Sequence, residues 1–250
     1  MEGSAVQDLA QHLTAWIVAE VGGSGGSGAV FGLSGGVDSA VVAALAKRAY
    51  PHHCLGVIMP CHSDAADADD ARLVAHHFGV ATTTVDLGPV YDCLIKQLQE
   101  TCSDLATPSL ACANLKPRLR MASLYAFANH HDYRVLGTGN RSEIEVGYFT
   151  KYGDGGADLF PLGGLTKTLV RRLAEHLGVP RRVIDKPPSA GLWSGQTDEG
   201  EMGLTYDELD AYLTTGEAPA EVKAKFAAMH AGSEHKRRPA HSASLPPELA

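Results

Sequence analysis

The chain has 250 residues, of which 44% are hydrophobic and 20% charged, and its formal net charge is −8 at pH 7. These values are typical of one soluble domain with an ordinary apolar core, and the negative charge argues against nonspecific nucleic-acid binding, which needs a basic surface. No apolar stretch approaches the roughly 18 residues that span a bilayer. The five cysteines include no CxxC pair, so we expect reduced thiols in a cytoplasmic protein without a membrane segment.

Strand patterns and helix patterns alternate along the chain. Apolar runs predict strands at 29–33, 54–60, 82–87 and 133–140. Helical spacing of apolar residues predicts helices at 5–20, 39–50, 67–79, 89–101, 114–130 and 166–178, and shorter ones at 204–216 and 219–232. This order predicts an α/β fold in which helices cover both faces of a parallel sheet. The segment GGSGGSG, residues 22–28, is expected to form a flexible turn before the first strand.

Two polar segments directly follow predicted strands. One is SGGVDS, residues 34–39, and the other is GTGNRSE, residues 137–143. In parallel α/β sheets, ligands bind at the carboxyl ends of the strands, near the point where the strand order reverses. The sequence therefore predicts one site built from both segments.

The glycine-rich turn at residues 34–39 is suited to holding phosphate. Glycines let backbone N–H groups converge on an anion, and the following helix adds its positive N-terminal end. The hydroxyls of Ser34 and Ser39 can donate to phosphate oxygens, whereas Asp38 would repel them unless a cation such as Mg²⁺ lies between. The turn lacks the lysine that a Walker loop uses at the β- and γ-phosphates. That absence favours a loop that holds pyrophosphate as a leaving group.

SGGVDS matches the signature of the PP-loop ATP pyrophosphatases. The segments GTGNRSEIEVGYFTKYGDGGADLFPLGGLTKTLV, KPPSAGLWSGQTDEGEMGLTYDELD and HKRRP closely resemble the ammonia-dependent NAD⁺ synthetases. The resemblance runs from about residue 10 to residue 240. It implies a doubly wound, Rossmann-like parallel sheet of five strands, of the adenine nucleotide alpha hydrolase type. It also implies a single domain over 1–240, a flexible tail over 241–250 and no glutaminase domain.

The same resemblance implies a ligase that uses ATP to amidate deamido-NAD⁺ with ammonia. The nicotinate carboxylate would attack the α-phosphate of ATP, and ammonia would then attack the adenylated intermediate to give NAD⁺ and AMP. Mg²⁺ is the implied cofactor, and a homodimer is the implied assembly. No nucleic acid or membrane partner is expected.

Residue roles carry over by motif. Asp38 and Glu143 are the implied Mg²⁺ ligands and, with Lys167, the implied catalytic residues. The implied ATP-binding residues are Gly32, Leu33, Ser34, Gly35, Gly36, Val37, Asp38, Ser39, Thr138, Lys167 and Ser189. The implied deamido-NAD⁺-binding residues are Arg118, Lys151, Asp158, His235 and Lys236.

Several of these residues also have ordinary structural interpretations. Without the resemblance, Glu143 would be interpreted as a solvated helix carboxylate and Lys167 as a surface lysine near a helix start. Asp154 competes with Asp158 for contact with the substrate, and Pro117 leaves open whether Arg118 lies in a first helical turn or at a kink.

Other functions remain open from the residues alone. One alternative is another PP-loop adenylating enzyme, such as a GMP synthetase ATP-pyrophosphatase domain or a tRNA thiolase. A different class is a nucleotide-binding module without catalysis, which loss of Asp38 or Glu143 would favour, although both are present. A separate glutaminase that supplies the ammonia is a further possibility.

Overall fold

A single parallel sheet organises the chain. The computed structural model describes residues 2–105, 107–193 and 195–246. The strands are β1 Gly28–Gly32, β2 Cys54–Ile58, β3 Ala81–Thr84 and β4 Tyr133–Leu136. They lie in the order β3-β2-β1-β4, and every neighbouring pair is parallel. The chain therefore extends the sheet outward from β1 to β3 and then returns to the other side of β1 to add β4, which makes the edge between β1 and β4 the switch point.

Helices connect and cover these strands. In chain order they are α1 Glu2–Gly23, α2 Val37–Ala49, α3 Ala65–Phe78, α4 Gly88–Thr101, α5 Leu110–Ala113, α6 Leu115–His131, α7 Arg141–Val146, α8 Lys167–Leu177, α9 Arg181–Ile184, α10 Asp198–Met202, α11 Tyr206–Thr215, α12 Ala220–Gly232 and α13 Glu234–Arg237. The first helix runs through Gly22 and Gly23, so only the second half of the glycine segment forms the expected turn. None of these helices combines the length and the apolar character needed to cross a lipid bilayer.

Both faces of the sheet are buried. Phe31 of β1 packs with α1, α2 and α8 in the larger core, whereas Val30, the preceding residue, packs with α6 on the opposite face. This alternation follows from the pleat of a strand, which points successive side chains to opposite sides. Because helices cover both sides, the central strands β1 and β2 are buried and apolar, whereas the edge strand β3, Ala81–Thr84, is polar and mostly exposed.

A third apolar cluster stands beside the sheet. Val146 of α7, Met202 of α10, Tyr206 and Leu209 of α11 and Val222 of α12 pack together there. The cluster fixes the short helices 141–146 and 198–202 against the carboxyl end of the sheet, and thus supports one wall of the site described below.

The prediction of five strands was wrong. The described residues contain four strands, and beside β4 the chain makes only one isolated bridge, between Leu136 and Leu159. The carboxylate of Asp158 accepts the backbone N–H of Val135 at 2.8 Å, a donor that a neighbouring strand would otherwise use. Pro161, two residues after Leu159, has no N–H to donate. The ladder therefore stops after one bridge.

The close contact of β1 with its neighbours gives a test of the sheet. A Cβ at Gly28 would overlap the carbonyl oxygen of His53 and lie 2.6 Å from the ring of Tyr133. We expect Gly28→Ala to lower the free energy of unfolding by about 2–3 kcal/mol, because backbone cannot move aside.

Gly22→Ala is the matched control for that substitution. Nothing lies within 4 Å of a Cβ at Gly22, which is inside α1, so this variant should be neutral or stabilising by about 0.5–1 kcal/mol. Urea unfolding followed by circular dichroism measures both changes, and equal stabilities for the two variants would contradict the packing.

Candidate active site

A cavity of about 910 Å³ opens at the carboxyl ends of the strands. Its walls come from the turn after β1, the segments that follow β2 and β4, helix α6, and residues within 186–193 and 195–198. Residues 59–60 and 137–138, which the sequence pattern assigned to strands, lie beyond the hydrogen-bonded ladder and line this cavity instead. The cavity borders the switch point between β1 and β4, where the topology of such sheets predicts a ligand.

The turn after β1 forms the floor of the cavity. Gly32, Leu33, Ser34, Gly36, Val37, Asp38 and Ser39 line it, whereas Gly35 does not. Gly35 has a φ of +82°, and a Cβ there would overlap the backbone oxygen of Asp67 in α3. Glycine at this position therefore serves the packing of the turn against α3.

The two serines of the turn differ in role. Ser39 is 2% exposed, and its hydroxyl donates to Gly36 O at 2.9 Å. The hydroxyl of Ser34 lies 3.1 Å from that of Ser39 and accepts the N–H of Gly36 at 3.3 Å. Ser39 thus holds the turn closed, while α2 begins at Val37 with no side chain capping its N–H groups. Those uncapped groups give the turn the character of an anion site.

One buried lysine joins the two strand ends. Lys167 Nζ lies 2.5 Å from Asp38 Oδ2 and 3.3 Å from Glu143 Oε1, and Lys167 is 2% exposed. Asp38 comes from the first turn of α2, Glu143 from α7 and Lys167 from the first turn of α8. The structure therefore brings together the three residues predicted to be catalytic. Neither Glu143 nor Lys167 is the solvated surface group that local sequence would suggest.

Hydrogen bonds at the starts of α7 and α8 hold Asn140 and Lys167, the two side chains that donate to Asp38. Asn140 and Glu143 form a reciprocal capping box at the start of α7, and Asn140 Nδ2 also donates to Asp38 Oδ1 at 3.0 Å. Lys167 N donates to Ser142 Oγ at 3.0 Å, and the Ser142 hydroxyl donates to buried Asp210. Because these bonds begin two helices at once, the carboxylates and the ammonium are held in place before any ligand binds.

Burial sets the charges of this group. It raises the pKa of Glu143 to about 7, although Lys167 acts to lower it. Burial acts to lower the pKa of Lys167, but Asp38 and Glu143 outweigh that effect and raise the pKa of the ammonium above its ordinary value. Two carboxylates thus share one positive charge beside a phosphate-type turn. Hard carboxylate oxygens with phosphate nearby are the ligands that Mg²⁺ prefers, so the pair fits that ion.

Tyr206 and Asp198 stand behind Glu143, and sequence reasoning assigned neither a role. The hydroxyl of buried Tyr206 lies 2.9 Å from Asp198 Oδ2 and 3.3 Å from Glu143 Oε1. Asp198 is 4% exposed, and its Oδ1 is buried without a hydrogen-bond partner in the described part of the chain. Both residues lie in the segment KPPSAGLWSGQTDEGEMGLTYDELD, residues 186–210. No local pattern, however, distinguishes them from other acids and tyrosines on short helices.

The other predicted ATP-binding residues also lie at the cavity. Thr138 lines it just past the end of β4. Ser189 lines the opposite side and is exposed, with its hydroxyl oxygen accepting the N–H of Gly191 at 3.1 Å. Both hydroxyls are therefore within the region that a nucleotide at the turn would occupy.

The residues predicted to bind deamido-NAD⁺ separate into groups. Lys236 lines the cavity, whereas Arg118, Lys151 and His235 lie outside it and contact one another. Arg118 Nη2 donates to Lys151 O at 3.4 Å, and Lys151 Nζ donates to the backbone oxygen of His235. These three residues form one exposed strip next to the cavity opening.

Asp158 occupies a structural position instead. Its Oδ2 accepts the N–H of Val135 and its Oδ1 accepts the hydroxyl of Tyr125 at 3.0 Å. Asp154, the competing aspartate, lines the cavity and accepts the N–H of Thr150 at 2.9 Å. Pro117 lies in the first turn of α6. Of the two interpretations left open by the sequence, a first helical turn or a kink, the first is therefore correct.

Lys236, which lines the cavity, and Lys116, which lies next to it on α6, form no ion pair with a carboxylate among the residues that the structure describes. Lys116 donates to Leu192 O at 2.7 Å, and Lys236 donates to the carbonyl oxygens of Gly147 and Phe149 at 2.8 Å. Burial lowers the pKa of both ammonium groups. Neutral acceptors satisfy their hydrogen bonds but not their charge. These two ammonium groups could therefore bind an anionic ligand, in spite of the net charge of −8.

A parallel sheet with a lysine-free phosphate turn and a carboxylate pair at its switch point defines a nucleotide-binding α/β protein of the ATP pyrophosphatase type. The family model for NAD synthase matches residues 9–240. The chain belongs to this family.

Relatives agree in sequence and in structure. The chain is 50% identical over 236 residues to the NH(3)-dependent NAD(+) synthetase of Carboxydothermus hydrogenoformans, covering 93% of this chain and 95% of that protein. It is 48% identical over 243 residues to the protein of the same name from Syntrophomonas wolfei, with 96% and 97% covered.

Two solved structures resemble the whole chain. The NMN synthetase of Francisella tularensis superimposes with a TM-score of 0.91 at 36% identity, covering 96% of this chain and 99% of that one. The NH3-dependent NAD synthetase of Campylobacter jejuni superimposes with a TM-score of 0.78 at 27% identity, with the same coverage. Both likenesses extend beyond the sheet to nearly every described element.

The central ion-pair group makes a prediction about stability. Lys167→Met leaves two buried carboxylates facing each other, so we expect the metal-free protein to lose about 3 kcal/mol of unfolding free energy. Added Mg²⁺ should restore part of that loss, because it replaces the missing positive charge.

Lys96→Met is the control for this variant, because Lys96 is exposed on α4. It should change the unfolding free energy by less than about 0.5 kcal/mol. Urea unfolding with and without Mg²⁺ measures both proteins. A Lys167→Met variant as stable as wild type would show that the lysine does not balance these carboxylates.

Proposed function

We propose that the protein is an ammonia-dependent ligase that amidates deamido-NAD⁺ to NAD⁺ with ATP, releasing AMP and pyrophosphate. The observation that carries the proposal is the buried group of Asp38, Lys167 and Glu143 beside a phosphate turn that lacks a Walker lysine. Membership of the NAD synthase family and near-complete coverage of NH(3)-dependent NAD(+) synthetases support it.

In the first step, a carboxylate oxygen of the nicotinate group attacks the α-phosphorus of ATP. A new oxygen–phosphorus bond forms, the bond from the α-phosphorus to the bridging oxygen breaks, and pyrophosphate leaves with the electron pair. The N–H groups at the start of α2 and the Ser34 hydroxyl hold the departing phosphates. No protein nucleophile is needed, because the site acts by positioning the reactants and by balancing charge.

In the second step, ammonia attacks the activated carbonyl carbon of the adenylated nicotinate. A carbon–nitrogen bond forms, the carbon–oxygen bond to AMP breaks, and the nitrogen loses one proton to solvent. The cavity walls at residues within 186–193 and 195–198 partly enclose this carbonyl, which limits competing attack by water.

Asp38 and Glu143 would hold Mg²⁺ in this proposal. The ion supplies charge neutralisation to the phosphates when bound. Lys167, which lies between these two carboxylates, would donate its N–H groups to phosphate oxygens. Thr138 and Ser189 supply hydroxyls from two other walls of the cavity.

The assembly and the remaining contacts are proposed on the same basis. Arg118, Lys151 and His235 form a strip outside the cavity, where the distant half of a dinucleotide would lie, and Lys236 joins this strip to the cavity. A second subunit placed against this strip would complete the site, which favours a homodimer. Asp158 would contact substrate through acceptor positions that its bonds to Val135 and Tyr125 leave unused. We also infer a cytoplasmic enzyme whose single domain covers residues 1–240, with a tail from 241.

A second candidate substrate is nicotinate mononucleotide. The likeness to the NMN synthetase of Francisella tularensis, at a TM-score of 0.91, favours it. Both substrates present the same nicotinate carboxylate, so the chemistry is unchanged and only the contacts beyond the ribose phosphate differ. No comparable observation supports the two other hypotheses, another PP-loop enzyme or a nucleotide-binding module without catalysis.

Purified protein with ATP, Mg²⁺ and ammonium tests the proposal directly. With deamido-NAD⁺ we expect NAD⁺, AMP and pyrophosphate in equal amounts, at a kcat/KM at least roughly tenfold above that for nicotinate mononucleotide. The reverse ratio would assign the mononucleotide as substrate. Glutamine in place of ammonium should give no NAD⁺, and a folded protein that releases no pyrophosphate with either acid would overturn the ligase assignment.

Asp38→Asn tests the metal-binding pair. The amide keeps the shape of Asp38 but not its charge, and Lys167 keeps Glu143 as a partner, so the fold should persist. We expect kcat/KM to fall by about 10³-fold or more, because transition-state charge is no longer balanced. Asp69→Asn, on the exposed side of α3, should keep wild-type activity. Activity of Asp38→Asn close to wild type would argue against the assignment.

A further inference from the structure

Arg120 of α6 is a mostly buried cation that faces the cavity. Its Nε donates to Met59 O at 3.1 Å and its Nη2 donates to Ser63 Oγ at 3.2 Å. Both acceptors are neutral. Within residues 2–105, 107–193 and 195–246, no carboxylate forms an ion pair with this guanidinium.

A guanidinium without an ionic partner is unfavourable in this position. Burial lowers the pKa of Arg120, which reflects the cost of removing the guanidinium from water. A guanidinium has five N–H bonds, and only two are used here, so the Nη1 group has no acceptor among the described residues. A ligand with a negative charge would balance the charge of Arg120 and accept hydrogen bonds from its unused N–H groups.

Two of the other cations that line the cavity already form ion pairs with carboxylates, whereas Lys236 donates to two backbone carbonyl oxygens. Lys167 lies between Asp38 and Glu143, and Lys186 donates to the carboxylates of Asp67 and Asp70. Arg120 therefore differs from Lys167 and Lys186, because its charge is available to a ligand without breaking an existing ion pair.

The position of Arg120 indicates which anion it meets. Its two acceptors, on Met59 and Ser63, follow β2 and line the cavity together with the phosphate turn, which follows the neighbouring strand β1. Arg120 therefore faces the same cavity as the turn that would hold ATP. The attacking carboxylate and the α-phosphate, both anionic, must approach each other in that space.

We propose that Arg120 binds the nicotinate carboxylate of the acid substrate and holds it for attack on ATP. The proposal rests on the proposed function, since it concerns the same acid. The planar guanidinium matches a carboxylate in geometry, whereas the phosphates have the N–H groups of α2. Arg118, two residues earlier on α6, is exposed and outside the cavity, so the sequence pattern identified the helix but not this side chain.

Binding of the acid and of its amide tests this role without turnover. Isothermal titration of deamido-NAD⁺ and NAD⁺ compares two ligands that differ only in the carboxylate. We expect wild type to bind the acid roughly 10- to 100-fold more tightly than the amide, the effect of charge-assisted hydrogen bonds. Arg120→Met should bind both with equal affinity, and Arg120→Lys should keep part of the preference.

Thermal unfolding separates this role from a structural one. If Arg120 serves the ligand, Arg120→Met removes an unpaired buried charge and the ligand-free protein should be at least as stable as wild type. Arg72→Met, on the exposed side of α3, is the control and should change neither stability nor the preference for the acid.

The outcomes are distinct. A preference for the acid that persists in Arg120→Met overturns the proposal, and so does a loss of ATP affinity with unchanged acid binding. If wild type binds the acid preferentially but makes no NAD⁺, the proposed reaction fails while the role of Arg120 stands. If wild type shows no preference for the acid, the role of Arg120 fails whatever the enzyme makes.

Discussion

The ion pairs of Lys167 with Asp38 and Glu143 are the contact on which the site depends. They connect the first turn of α2 to the starts of α7 and α8, and thereby the carboxyl ends of β1 and β4. A buried group of this kind stabilises only when its hydrogen bonds are complete, and the Asn140 capping box and the Ser142–Asp210 contact complete them. The switch point of the sheet is thus both the structural centre and the chemical one.

This arrangement prepares the site for charged ligands. Two carboxylates share one lysine, while Arg120 and Lys236 in the cavity wall and Lys116 beside it form no ion pair with a carboxylate in the described part of the chain. The site therefore combines oxygen ligands of the kind that a divalent cation prefers with positive charge that an anion can balance. A reaction between two anions, a carboxylate and an α-phosphate, needs both.

The strip of Arg118, Lys151 and His235 adds a second region outside the cavity. The side chains of Arg118 and Lys151 donate to backbone oxygens there and not to carboxylates. A dinucleotide is longer than the group that reacts, and binding energy from its distant half can position the carboxylate. In the function proposed above, the strip would distinguish a dinucleotide from a mononucleotide, while the reaction would take place in the cavity.

The amino-acid sequence by itself determined the strand and helix order, the phosphate turn and the residue types of Asp38, Glu143 and Lys167, because periodicity and turn chemistry are local. It overestimated the sheet, since the one-bridge contact at Leu159 depends on Asp158 taking a backbone donor of β4. Only the tertiary structure showed that Lys167 is buried and Glu143 half-buried, that Arg120 rather than Arg118 faces the cavity, and that Tyr206 and Asp198 stand behind Glu143. Burial and pairing arise between elements up to 129 positions apart in the chain, as in the Lys167–Asp38 contact, and no local pattern encodes them.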